Sequence, residues 1–101
     1  METRLDLQSK LEELLGSRYV YYQPSSNVKM IYPAIKYVKG KLTKVYANNS
    51  TYRLLTRYDI TVISNRPDNP VIQKLLELPY CSYDRRYISD NLYHDSLTLY
   101  F

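Results

Sequence analysis

The only cysteine of the chain, Cys81, sits in "LPYCSYDRRY" (residues 78–87) with Asp84, Arg85, Arg86 and three tyrosines. The only histidine, His94, follows shortly after it. Three chemistries use these residue types. A thiol beside an imidazole, with Asp84 or Asp95 orienting the ring, is a nucleophile. Basic residues interleaved with aromatic rings suit single-stranded nucleic acid. Tyrosine and arginine together are also the composition of protein-interface hot spots.

The nucleophile has the least local support. Cys81 opens no helix, and no glycine-rich turn exposes it. With glycine only at Gly16 and Gly40, phosphate loops and nucleophile elbows are missing. A lone cysteine in a strand is ordinarily a small hydrophobe, and His94 is expected to be a hydrogen-bonded sheet residue. One histidine, one cysteine and scattered acids do not make a zinc site. Asp84, Asp90 and Asp95 lack the spacing of a calcium loop. The expectation is therefore a protein without enzymatic activity, metal or cofactor.

Read as a strand, the segment sends Arg85 and Arg86 to opposite faces. Tyr83, Arg85 and Tyr87 share one face; Tyr80, Ser82, Asp84 and Arg86 share the other. A protein-facing surface built on Tyr83, Arg85 and Tyr87 is the favoured reading. The alternative is a strand whose arginines pair with Asp84, Asp90 or Asp95 across a turn.

Charge adds a second candidate surface. The chain has 101 residues, a net charge of +4 and a pI near 9.1. No acid occurs from Leu14 to Tyr58, a span that holds Arg18, Lys29, Lys36, Lys39, Lys41, Lys44, Arg53 and Arg57. Lysines on an exposed strand can simply keep an edge soluble. They also suit phosphate contact or docking on an acidic protein surface. Lys39, Lys41, Lys44 and Tyr46 are the partner-binding candidates here. The chain carries 13 tyrosines, one phenylalanine and no tryptophan. Rings with a wet hydroxyl suit half-buried sheet surfaces and interfaces.

The elements that position these residues follow from periodicity. Leu7, Leu11, Leu14 and Leu15 make one face of a helix over residues 4–15, with Thr3 as cap and Gly16 as stop. Residues 19–23 read as a short strand ended by Pro24. Residues 34–45 are extended, with a bulge or bend at Gly40. "YANNS" is a turn, and residues 52–64 alternate as a strand. Pro70, capped by Asn69 or Asp68, opens a second helix with Val71, Ile72, Leu75 and Leu76 on its apolar face. "YCSYDRRYI" is a strand, "SDN" a turn, and residues 92–101 the last strand. The order α-β-β-β-α-β-β predicts a single α+β domain over residues 1–101. It comprises an antiparallel sheet of four or five strands, two helices packed on one face, and a long β-hairpin arm. The predicted core is Leu7, Leu11, Leu14, Tyr58, Ile60, Val62, Leu75, Leu76, Leu97 and Leu99. No apolar run is long enough to span a bilayer, the N-terminus does not read as a signal peptide, and one cysteine suits a reducing compartment.

The pattern "TRLDLQSKLEELLGS", "VYYQP", "KMIYPAIKY" and "RYDITVISNRPDNPVIQKLLELPYCSYDRRYISDNLYHDSLTLYF" resembles small head–tail junction proteins of tailed bacteriophages, above all tail terminators. The likeness covers nearly the whole chain and rests on overall pattern, without a catalytic signature. It implies a structural virion protein, assembled in the host cytoplasm and located in the neck. Its partners would be copies of itself in a six-fold ring, the tail tube protein and the head–tail connector or stopper, with channel DNA nearby and no membrane. The chain is shorter than many terminators, and its hairpin is basic where tail channels are often acidic. Terminator, stopper and other neck slots therefore stay open, beside the alternative of a small basic nucleic-acid-binding domain.

Overall fold

In a computed structural model, residues 4–25, 29–46 and 52–101 are described, with backbone only at 41–46 and 52–54. The Thr3 cap and the "ANNS" part of the expected turn lie outside these residues. The order is α1 (Arg4–Leu15), β1 (Val20–Tyr22), β2 (Ala34–Tyr46), β3 (Tyr52–Ser64), α2 (Pro70–Leu76), β4 (Cys81–Ser89) and β5 (Leu92–Tyr100). The fold is α+β, with one five-stranded sheet in the order β1-β2-β3-β5-β4.

The sheet is mixed, which corrects the expected antiparallel arrangement. β1 runs parallel to β2, with Val20 opposite Ile35 and Tyr22 opposite Tyr37. Parallel neighbours need a connection long enough to bring the chain back to the same end. The chain between Tyr22 and Ala34 makes that return. The other three pairings are antiparallel.

Alternation in β3 sets the inner face. Tyr58, Ile60 and Val62 are buried, as are Ile35 and Tyr37 of β2 and Leu97 and Leu99 of β5. Leu7 and Leu11 of α1 and Val71 and Leu75 of α2 join them in one core cluster. At 41% exposure Leu76 is not core, contrary to expectation. A seven-residue helix presents one i, i+4 pair inward, here Val71 and Leu75, and Leu76 is rotated about 100° from Leu75. Leu14 is only half-buried against the cluster. On the opposite face of β3, Ile63 is also buried, between Ala34 and His94.

Local signals explain the boundaries. Gly16 adopts φ +81° and its N–H donates to the Glu12 carbonyl, closing α1. The Asn69 side chain accepts from the Val71 N–H at 3.0 Å, and Pro70 occupies the first helical position of α2. The β2–β3 register slips between Lys39 and Leu42. A Cβ on Gly40 would lie 3.3 Å from the Arg57 carbonyl, so the glycine permits this close approach.

Candidate interaction surface on the edge strand

A tight turn positions β4. Asp90 and Asn91 both take positive φ, 53° and 62°, between the paired Ser89 and Leu92. Two left-handed residues form the hairpin turn that matches strand twist, and Asp and Asn tolerate that conformation. Counting back from the turn places Tyr87 opposite His94 and Arg86 opposite Asp95.

A bulge then intervenes. Tyr83 pairs with Leu97 and Arg85 with Ser96, leaving Asp84 as the extra residue. Tyr83 therefore does not share a face with Arg85 and Tyr87, as strict alternation had predicted. Instead Tyr83 and Arg86 stand together on the inner face and converge on Asp95. The Tyr83 hydroxyl donates to Asp95 Oδ1 at 2.6 Å. Arg86 Nε donates to the same oxygen at 2.9 Å, and Nη2 donates to Oδ2 at 3.3 Å and to the Pro67 carbonyl at 2.7 Å. Asp95 is only 2% exposed, and these bonds compensate its removal from water. The bond to the carboxylate raises the pKa of the Tyr83 hydroxyl, and the same partner raises that of Arg86. The reading in which an arginine pairs with Asp95 thus holds for Arg86.

Arg85 and Tyr87 lie on the outer face. The Arg85 guanidinium stands 5.1 Å from the Tyr87 ring centroid, and Tyr87 stacks on His94 at 4.8 Å and 16°. Cys81 faces inward opposite Leu99, roughly 16 Å along the strands from His94 at about 3.3 Å per residue. They are on opposite faces and form no nucleophile–base pair. Burial first, and Asp84 second, push the Cys81 thiol pKa up, away from thiolate.

The lysine candidates lie elsewhere. Lys39 is on β2, separated from β4 by β3 and β5, and its N–H donates to the Gln23 side chain. The side chains of Lys41, Lys44 and Tyr46 lie outside the described residues. Their backbone belongs to a two-stranded ribbon. β2–β3 pairing continues to Tyr46 opposite Tyr52, whereas β3 makes its last bonds to its other neighbour at Thr56, which exchanges both backbone hydrogen bonds with Phe101, and β2 its last backbone bond to the β1 side at Tyr37, whose carbonyl accepts from the Gln23 N–H.

Sequence reasoning missed the cluster of Tyr83, Arg86 and Asp95. It borders a groove of about 480 Å³ between β4 and α2, where Ile72 and Leu76 supply apolar wall. Two residues beyond Arg86 on β4, Ile88 is 66% exposed. Among the described residues, no helix is long and apolar enough to cross a membrane, and no three His, Cys, Asp or Glu side chains group as metal ligands. No protein-family model, curated protein or solved structure matches the chain.

Proposed function

We propose that this chain is a structural assembly protein of the phage head–tail junction. In this reading it is a tail terminator whose copies form a ring that caps the tail tube and meets the head connector. The observation that carries the reading is the ribbon. A paired segment running past its neighbouring strands adds little to a subunit's own core. It suits an arm laid on an adjacent subunit, with both helices against the inner face behind it. Lys39, Lys41 and Lys44 would meet acidic groups there, and Tyr46 would supply contact area. The likeness in sequence pattern to head–tail proteins supplies the biological setting. The separation of Cys81 from His94 supports a role without covalent catalysis.

Electron microscopy of the protein incubated with tail tubes tests this reading. Rings of fixed rotational symmetry at tube ends, stable in moderate salt, are expected. A monomer that ignores tubes and binds DNA with steep salt dependence would instead favour the nucleic-acid reading.

A further inference from the structure

The two edges of the sheet differ. β1 has three residues, and the bonds to β2 run through Tyr19 and Gln23, so the backbone N–H and C=O of Val20 point away from the sheet while its side chain is buried in the core. Both outward groups of Val20 are occupied. Its N–H donates to the Arg18 carbonyl at 2.8 Å, and its carbonyl accepts from Gln8 of α1 at 3.0 Å. β4 has nine residues, pairs with β5 alone, and is exposed from Ser82 to Ser89. Its alternate N–H and C=O groups point away from the sheet. A partner that extends the sheet thus has one long edge available, and a head-to-tail repeat that needs both edges is disfavoured.

The bulge determines which strand fits this edge. Cys81, Tyr83, Arg86 and Ile88 share a face with Leu99, Leu97, Asp95 and Tyr93, their partners on β5. Ser82, Arg85 and Tyr87 face outward with Thr98, Ser96 and His94. Asp84 joins the outer set, because its Oδ2 accepts from the Thr98 hydroxyl at 2.9 Å. Two adjacent outer residues of opposite charge therefore sit at the middle of the strand.

We infer that β4 pairs antiparallel with β4 of a second copy, with Asp84 opposite Arg85 of that copy. A two-fold axis repeats each contact, so the pairing makes two Asp84–Arg85 contacts. It also sets Tyr83 against Arg86, Ser82 against Tyr87 and Cys81 against the exposed Ile88. Inner residues meet inner residues and outer meet outer along the strand. A pairing centred on Arg85 would oppose two arginines and set Asp84 against Arg86, on the wrong face. Charges and bulges usually deter edge pairing. In this strand a register centred on Arg85 or on Asp84 opposes two like charges, and the one between them is complementary. The contact is separate from the ribbon and stands without the ring.

Light scattering of the full chain, with a cross-linking variant, tests the pairing. The wild type is expected at twice 12.0 kDa. Asp84→Arg and Arg85→Asp, each folded by circular dichroism, should be monomers at concentrations where the wild type is dimeric. The double exchange should restore the dimer. If loss of the Thr98 bond unfolds Asp84→Arg, Arg85→Asp carries the test, since Arg85 contacts the Tyr87 ring. Ile88→Cys should form an intermolecular disulfide with Cys81 under mild oxidation, and the wild type should not. A monomeric wild type without this cross-link would overturn the inference. So would a dimer or larger ring indifferent to both charge reversals, a result that leaves the ring reading standing.

Discussion

Asp95 is nearly inaccessible to water, yet it holds a tyrosine hydroxyl and a guanidinium. Asp95→Ala should destabilise the fold by about 1.5–3 kcal/mol in a denaturant titration, the range for hydrogen bonds to charged groups. The exposure of Arg86, 39% at its side chain, keeps the cost near the lower end because water can solvate the freed guanidinium. Tyr83 gives a pH signature. Its folded-state pKa is raised above the ordinary 10.0, so the protonated form is favoured by folding. That stability is fully present below about pH 10 and is lost as pH rises through the folded-state pKa. Tyr83→Phe should flatten part of the alkaline fall in stability above pH 10; an unchanged alkaline profile would contradict the bond. This site was partly legible in the sequence. Reading Asp90 and Asn91 as a two-residue turn places Arg86 opposite Asp95 by counting. A three-residue "SDN" turn hides that register, and no pattern in the sequence marked the bulge at Asp84.

At the scale of elements, burial separates two leucines that periodicity treated alike. Leu11→Ala should cost about 2–5 kcal/mol, as for a fully buried leucine. Leu76→Ala should cost under about 1 kcal/mol, because that residue keeps 41% of its surface in water. Equal losses in urea titrations would refute the assignment of the α2 faces. The helices and long strands were legible because leucine spacing, alternation, Asn69–Pro70 and Gly16 are local signals. The direction of β1 was not, since three residues carry no information about which neighbour they join. Ile63 shows the same limit: alternation gives its face, but only tertiary packing decides whether that face is covered.

At the scale of the whole molecule, the chain has two unlike features, the β4 edge and the β2–β3 ribbon. Thirteen residues at roughly 3.3 Å each make a strand about 43 Å long, close to the 47 Å longest dimension of the chain. Ribbon and body therefore lie along one axis, which suits contact between neighbours. Under the proposed function, reversing Lys39, Lys41 and Lys44 to glutamate should leave the melting temperature within a few degrees of wild type and abolish the docking on tail tubes that the proposal requires. A variant that docks normally would remove the lysines from the contact. The most direct measurement is hydrogen exchange of residues 39–46 and 52–55 in the free protein and with tail tubes. Protection is expected to rise in these segments on assembly while residues 58–64 of β3 stay unchanged. Equal protection of the ribbon in the two states would contradict its role as the assembling arm.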